Sequence, residues 1–375
     1  MISRTLAEQW MARCLELASK ADSAVSPNPR VGCVILNSGG VVLGEGWHQK
    51  FGDRHAEVHA MDLVRETHGD HVLQGATLVV NLEPCNHHGK TPPCTEYISK
   101  SGIVNIIVGM QDPNPIATGG LDQLTSAGFN VMSGVLEEKC YRLNEPFAFW
   151  QTQARPFITL KIAQTLDGCI ATSNGESQWI TGDVARLSVH TLRRESDAIL
   201  IGSGTAQADD PELTVRHVSG TQPMRIILDG HGKLPPSLRV FCDSWTPKTI
   251  AVVAEGISPM YQDQLIDRGG NVIQVPSKYS HVDLPTLMNL LKDQFHIQSL
   301  LIEAGPQLAS ALLRDDLVDR LHLFIAPKLI GNGLHAFQNI GVTYLKECIK
   351  FKGHSWRPVG DDLLFTGYRH PFPPE

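Results

Sequence analysis

Two stretches of the first half decide its fold and its chemistry: residues 55–60 read HAEVHA, and residues 82–94 read LEPCNHHGKTPPC. His55 opens an apolar pattern of helical period, whereas Cys85 and Cys94 each follow a proline in a polar loop. One imidazole and two thiolates bind zinc tightly, and three protein ligands leave a fourth tetrahedral position for water, as in catalytic zinc sites. The sequence therefore predicts a catalytic zinc held by His55, Cys85 and Cys94.

Glu57 is the predicted catalytic residue of this site. It follows His55 by two positions on the first helical turn, so its carboxylate reaches a zinc-bound water without binding the metal. Zinc lowers the pKa of such a water towards about 7, and a carboxylate beside it carries protons to a ring nitrogen and to a departing amine. Zinc deaminases typically show H-x-E followed by P-C-x-x-C. Here eight residues, 86–93, separate the two cysteines instead of two.

The long loop between the cysteines predicts contacts to an anionic or polyhydroxylated part of the substrate. The polar candidates near the pocket are Asn28, Asn81, His87, His88, Lys90 and Thr91. His59 is interpreted as a residue on the face of the helix, because the metalloprotease pattern requires a glutamate directly after its first histidine.

Apolar periodicity predicts alternating helices and strands along the whole chain. The first half is expected to form helices at 5–18, 54–67 and 94–101 and strands at 31–36, 41–47, 76–82 and 104–110. The second half is expected to form strands at 157–162, 198–202, 224–229, 249–254, 271–275, 299–303 and 321–326, with helices between several of them. This alternation is typical of the α/β class, with a sheet that is parallel in at least part.

The length of 375 residues predicts two domains, since one domain usually spans roughly 100–200 residues. The prolines and aromatic residues between Asn144 and Pro156 favour a boundary there, giving domains 1–148 and 154–375. A net charge of -7 without runs of Lys or Arg argues against nucleic acid as a partner and favours a small substrate.

The composition also predicts where the protein works. The N-terminal residues lack the apolar core of a signal peptide, and no window approaches the roughly 20 apolar residues of a membrane span. Eight cysteines without a framework spacing are typical of reduced thiols. A cytoplasmic protein that forms a homo-oligomer and does not bind membranes is expected.

Two glycine-containing turns in the second half are candidate phosphate contacts. Residues 201–205 read IGSGT after a strand, and Gly305 opens a helix after Glu303. Backbone N–H groups at such turns bind phosphate, but each signal is weak alone. A full G-x-G-x-x-G pattern is missing, so a conventional Rossmann dinucleotide site is not supported.

Taken together, these patterns resemble the bifunctional riboflavin-biosynthesis deaminase–reductase family over nearly the whole chain. The resemblance rests on 27–33 (PNPRVGC), 55–60, 82–94, 165–168 (TLDG), 175–181 (GESQWIT), 208–211 (ADDP), 213–216 (LTVR) and 303–306 (EAGP). It implies a cytidine-deaminase-like first domain that hydrolyses the 2-amino group of a phosphoribosylated diaminopyrimidinone with zinc. It also implies a dihydrofolate-reductase-like second domain that delivers hydride from NADPH to the sugar C1′, giving a ribityl chain.

Carried over position by position, the resemblance implies further site residues. The NADPH side comprises Ala163, Trp179, Thr205, Asp209, Gly305, Pro306, Gln307, Leu308, Ala309, Ser310 and Ala311. The substrate side comprises Ser177, Arg193, Leu213, Arg216 and Glu303. The guanidinium groups of Arg193 and Arg216 suit a phosphate, since each binds it through paired hydrogen bonds. Lys161 and Asp209 are candidates for polarising or protonating the reacting sugar.

Two rival interpretations remain at this point. In the first, the chain is a nucleoside or tRNA deaminase with a C-terminal binding domain. In the second, it is a non-catalytic α/β protein stabilised by zinc. The first predicts a basic face that the composition lacks, and the second requires a fourth protein ligand to close the metal site.

Overall fold

The computed structural model describes residues 2–88, 92–278 and 281–370. The chain divides into two compact units, Met1–Gln153 and Ala154–Glu375. A helix at Glu145–Thr152 belongs to the first unit and buries Phe147 and Phe149. No helix in the described residues is long and apolar enough to cross a membrane.

The first unit combines short helices with one sheet. Its described helices are α1 (Arg4–Ala18), α2 (Ala56–His68), α3 (Cys94–Ser99), α4 (Gly120–Ser126), α5 (Glu137–Leu143) and α6 (Glu145–Thr152). Its described strands are β1 (Gly32–Leu36), β2 (Val42–Trp47), β3 (Thr77–Leu82), β4 (Asn105–Met110) and β5 (Asn130–Met132). The sheet order is β2-β1-β3-β4-β5, with β1 antiparallel to both neighbours and β3, β4 and β5 parallel.

The core of the first unit brings α2 close to the sheet. All residues of β1, β3 and β4 are buried, as expected for strands that are covered on both faces. A Cβ at Gly46 in β2 would lie 2.6 Å from the Ala60 nitrogen and 2.7 Å from the Ala56 carbonyl oxygen. Glycine at this position therefore allows the first turn of α2, next to His55, to lie directly against β2.

The second unit is built on a larger sheet. Its described strands are β6 (Phe157–Thr165), β7 (Cys169–Thr172), β8 (Ala198–Gly202), β9 (Met224–Leu228), β10 (Thr249–Ala254), β11 (Asn271–Val275), β12 (Ser277–Lys278), β13 (His281–Val282), β14 (Ser299–Glu303), β15 (Arg320–Ala326), β16 (Gly333–His335), β17 (Lys352–Val359) and β18 (Asp362–Tyr368). Its described helices are α7 (Asp183–Glu195), α8 (Ser203–Asp209), α9 (Pro259–Ile266), α10 (Leu284–Phe295) and α11 (Pro306–Arg314).

The main sheet of this unit has the order β11-β10-β9-β8-β14-β6-β15-β18-β17. The strands from β11 to β15 in this order are parallel, and β18 and β17 add an antiparallel hairpin at one edge. Both faces are covered, by Leu291 of α10 and Leu312 of α11 in one cluster and by Leu265 of α9 in another. The carboxyl ends of β8, β14 and β6 therefore meet at one edge of the sheet, where ligands bind in such folds.

Candidate active sites

The predicted zinc ligands come together in the first unit. His55 is the N-cap of α2, Cys94 begins α3, and Cys85 lies in the loop after β3. The Nδ1 atom of His55 lies 3.3 Å from Cys94 Sγ and 3.6 Å from Cys85 Sγ, and all three ligand atoms lie within 4.8 Å of one another. Tetrahedral zinc with bonds of about 2.0–2.3 Å separates nitrogen and sulfur ligands by about 3.5 Å. The three side chains fit zinc as they stand.

The electrostatics of the two thiols also fit a cation. The Cys94 side chain and then His55, through hydrogen bonds, lower the pKa of Cys85 to about 4 despite its burial. The Cys94 thiol contacts Cys85 and is buried, and these two effects raise the pKa of Cys94 well above the ordinary value. The site thus stabilises the thiolate of Cys85 and disfavours a second thiolate at Cys94. A divalent cation would stabilise that second thiolate.

Glu57 is buried on the first turn of α2, only 3% exposed. Burial raises the pKa of Glu57 to about 7, against the opposing effect of His55. A carboxyl group with a pKa near neutrality both accepts and donates protons, which suits general acid–base catalysis.

His48 is a neighbour of this site that the sequence did not single out. Its ring lies 5.5 Å from that of His55, and its Nδ1 lies 3.0 Å from the Arg54 carbonyl oxygen. A carbonyl only accepts, so Nδ1 carries the proton and Nε2 accepts from the Asn28 amide at 3.1 Å. Burial lowers the pKa of His48, which favours the neutral ring. No local motif marks His48, since only the fold brings the end of β2 to the metal ligands.

The other loop candidates have different surroundings. Asn81 is fully buried and uses its amide within the fold, donating to the Arg30 carbonyl and accepting from Gly32. His88 is exposed and lies 3.0 Å from Glu96, whereas His87 is half-buried. Lys90 and Thr91 lie outside the described residues.

A second site surrounds Glu303 at the carboxyl end of β14. Its Oε1 accepts from Arg193 Nε at 2.6 Å, and its Oε2 lies 3.7 Å from Lys161 Nζ on the neighbouring strand β6. Burial alone would raise the pKa of Glu303, but the two cations outweigh it and hold that pKa at about 2. Arg193 also donates to the Thr214 carbonyl at 3.2 Å, so it is tied to the protein on two sides.

Further basic side chains lie beside Arg193. The Arg216 backbone nitrogen donates to His190 Nδ1 at 3.3 Å, and the His190 ring meets that of His217 at 4.6 Å. Burial and then the charges of Arg193 and Arg216 lower the pKa of His190 to about 4, so it is neutral near pH 7. The Arg216 side chain is exposed and pairs with Glu212 at 2.6 Å. Its guanidinium is accessible to an anion such as a phosphate.

The proposed NADPH contacts lie along the same sheet edge. Gly305 is the N-cap of α11 and, as a glycine, makes no side-chain bond to the first-turn N–H groups of the helix. Thr205 at the start of α8 lies beside it, with Oγ1 3.5 Å from the position of a Cβ on Gly305. Two helix starts at neighbouring strand ends, neither of them capped by a side chain of its N-cap residue, fit the phosphates of a dinucleotide.

The remaining site residues that the family resemblance implies differ in their exposure to solvent. Ala163 lies on β6, and Trp179 is 62% exposed. Burial raises the pKa of Asp209, although hydrogen bonds from Ser177 and Gln178 act to lower it. Along α11, Gln307 is exposed, Pro306 and Ala311 are half-buried, and Leu308, Ala309 and Ser310 are buried. Leu213 is buried as well. Leu308 and Ala309 pack in the core cluster, and Ser310 Oγ accepts from the Gln338 nitrogen at 2.9 Å.

Known proteins match both units. The cytidine and deoxycytidylate deaminase zinc-binding region matches residues 4–110, and the RibD C-terminal domain matches residues 156–365. The riboflavin biosynthesis protein RibD of Aquifex aeolicus is 39% identical, over 98% of this chain and 99% of its own. The chain belongs to the RibD family.

Solved structures of RibD proteins match over the full length. A structure of Acinetobacter baumannii RibD has a TM-score of 0.86 at 34% identity and covers 98% of this chain and 99% of its own. A structure of the diaminohydroxyphosphoribosylaminopyrimidine deaminase/5-amino-6-(5-phosphoribosylamino)uracil reductase of Thermotoga maritima has a TM-score of 0.84 at 36% identity, covering 97% of this chain and 99% of its own.

Membership of the RibD family confirms several predictions made from the sequence. The α/β class, with a cytidine-deaminase-like first domain and a reductase second domain, is confirmed. The chain is a bifunctional deaminase and reductase of riboflavin biosynthesis, with zinc and NADPH as its cofactors. A RibD reductase domain occupies the second half, where the rival interpretation required a binding appendage.

Proposed function

We propose that the first unit, within 1–148, deaminates a phosphoribosylated diaminopyrimidinone and that the second, within 154–375, reduces the ribosyl group of the product. The observation that carries this proposal is the presence of two separate reactive clusters, one in each unit. His55, Cys85 and Cys94 with buried Glu57 form the first, and Glu303 with its flanking cations forms the second. The Thermotoga maritima relative is named for these two activities on phosphoribosylated pyrimidines.

In the deaminase unit, zinc when bound supplies a water nucleophile at neutral pH. Glu57 takes one proton from the attacking water and delivers it to the adjacent ring nitrogen. It then takes the remaining proton of the hydroxyl that has added to the ring carbon and supplies it to the departing amine, so that the carbon–amine bond breaks and a carbonyl and ammonia form. Asn28 is bonded to His48 beside this site, and that bond fixes the orientation of its amide. The short segment between His55 and Glu57 keeps the proton carrier beside the ligand set.

In the reductase unit, NADPH when bound supplies a hydride to C1′ of the sugar. Lys161 donates a proton to the sugar oxygen that leaves C1′, so that hydride and proton together open the ring to a ribityl chain. Glu303 holds the Lys161 ammonium and Arg193 in place, as their distances of 3.7 Å and 2.6 Å indicate. We assign the helix start at Gly305 and the neighbouring Thr205 to the NADPH phosphates.

Arg216 is the proposed ligand of the substrate phosphate, and its replacement separates binding from stability. We expect Arg216→Gln to raise the KM of the phosphorylated substrate by about tenfold or more, because a charge-assisted bidentate contact is lost. The thermal midpoint should not change, since the Arg216–Glu212 pair is exposed. Steady-state NADPH oxidation with the deaminated substrate measures this KM.

Arg239→Gln is the matched control, because Arg239 also pairs with Glu212, at 3.1 Å. It should leave the KM at the parent value. A rise in KM of the same size in both variants would show that Arg216 acts through Glu212. A rise in KM of the same size with a dephosphorylated substrate would show that Arg216 does not act on the phosphate.

The two activities are tested by supplying each substrate separately. Purified protein loaded with zinc should release ammonia from the diaminopyrimidinone phosphate without NADPH, and should oxidise NADPH when given the deaminated compound. Failure of the second reaction would reduce the second unit to a binding domain.

Association of identical chains is also part of the proposal. Strand β17 lies at an edge of the main sheet in the described part of the chain, and seven of its eight residues are exposed. An exposed strand edge offers backbone groups to a second copy. Sedimentation of the purified protein tests this, and the cytoplasmic location stays a prediction.

A further inference from the structure

Lys328 is an exposed lysine just after β15 that the sequence did not mark. Its Nζ donates to two successive backbone carbonyls, that of Trp179 at 2.9 Å and that of Ile180 at 2.7 Å. Both carbonyls belong to the loop that leads into α7, more than 140 residues earlier in the chain. One ammonium therefore fixes the orientation of two neighbouring peptide groups beside Trp179.

The segment that carries Lys328 is itself held by the fold. The Asp167 carboxylate accepts from the backbone of Ile330 at 3.1 Å and of Gly331 at 2.6 Å. The Leu166 nitrogen donates to the Lys328 carbonyl oxygen at 2.9 Å. Because hydrogen bonds hold the backbone at Lys328 and directly after it, the position from which its side chain extends is fixed.

The loop under Lys328 presents an exposed aromatic ring. Trp179 is 62% exposed, and the Arg186 guanidinium lies 4.5 Å from the centre of its ring. Arg186 also donates to the Thr181 carbonyl at 3.1 Å, which ties this stack to the same loop. A large ring that is held rigid while open to solvent loses little conformational entropy when a ligand covers it.

We propose that Lys328 is a positioning residue for NADPH, because it holds the Trp179 loop in the conformation that contacts the cofactor. This inference rests on the proposed reductase function and on the assignment of Trp179 to the cofactor side. An exposed ammonium adds little to stability, and both carbonyls would be hydrated if it were removed. The contribution of Lys328 therefore lies in preorganising the loop, and its loss affects cofactor affinity more than folding.

The test measures NADPH binding directly by titration calorimetry on the full-length, zinc-loaded protein, alongside steady-state kinetics. Lys328→Met should raise the Kd and the KM of NADPH about tenfold, with kcat and thermal midpoint unchanged. Lys328→Arg should stay within about threefold of the parent, because a guanidinium can also donate to two carbonyls. Lys350→Met, which replaces another exposed lysine of the same unit, should bind NADPH like the parent.

A double variant tests whether Lys328 acts through Trp179. If it does, Lys328→Met should weaken NADPH binding much less in a Trp179→Leu background than in the parent. An unchanged Kd in Lys328→Met, while the parent binds NADPH, would overturn the inference and leave the reductase intact. A parent protein that binds no NADPH would overturn the proposed reductase function and this inference with it.

Discussion

Glu57→Gln should lower kcat/KM for ammonia release by about 10²–10⁴-fold while zinc remains bound. Glutamine has the same shape as glutamate, but it does not carry a proton between the attacking water and the leaving amine. Glu57 is not one of the three metal ligands, so the ligand set is unchanged. Ammonia release measures the loss, and the zinc content of the purified variant confirms that the metal is retained.

Two controls accompany this variant. Glu66→Gln removes an exposed carboxylate from the same helix, α2, and should leave the rate of deamination unchanged. Oxidation of NADPH with the deaminated substrate should be normal in Glu57→Gln, because that reaction belongs to the other unit. Ammonia release by Glu57→Gln at the parent rate would remove Glu57 from the mechanism.

Cys85→Ala should abolish deamination through loss of the metal. Two remaining ligands, His55 and Cys94, hold zinc far more weakly than three. The side chain of Cys85 is only partly buried, so its removal costs less packing than removal of the fully buried Cys94 would. Metal analysis should find substoichiometric zinc and no ammonia release, whereas NADPH oxidation with the deaminated substrate should continue.

The matched control for this variant is Cys242→Ala, which removes an exposed cysteine from the second unit. It should retain zinc and both activities. Stoichiometric zinc in Cys85→Ala, or loss of the reductase activity together with the deaminase activity, would contradict the assignment of Cys85 and the independence of the two units.

Much of the zinc site was predictable because its signals are local. Proline-preceded cysteines and a helix that begins at His55 are visible in short stretches of sequence, and their ligand atoms lie close together in the fold. His48 was not predictable in the same way. It reaches the site only because β2 packs against α2, a contact that depends on the absence of a side chain at Gly46.

The second unit shows a similar division. The parallel strands were expected from their apolar runs, but the β17–β18 hairpin was not, because seven of the eight residues of β17 are exposed and lack an apolar pattern. Lys161 meets Glu303 because β6 and β14 pair in register, although 142 positions separate them in the sequence. Such pairings depend on the strand order, which periodicity alone does not give.

Among the site residues of the second unit, too, some were expected from the sequence and others became apparent only from the fold. The resemblance supplied Arg193 as a substrate contact, and the structure shows that its guanidinium is already engaged by Glu303 and the Thr214 carbonyl. The neighbouring His190 and the ammonium of Lys328 became apparent only from the packing. Side chains that act through tertiary contacts leave no local pattern in the sequence.

The most direct test of two successive activities on one chain follows ammonia and NADPH in the same reaction. Full-length zinc-loaded protein is mixed with the diaminopyrimidinone phosphate and NADPH, and both signals are recorded. We predict that ammonia appears first and that one NADPH is then oxidised for each ammonia released, with both signals slowed together by about 10²–10⁴-fold in Glu57→Gln. Oxidation of NADPH by Glu57→Gln from the diamino substrate, without ammonia release, would contradict the proposed order.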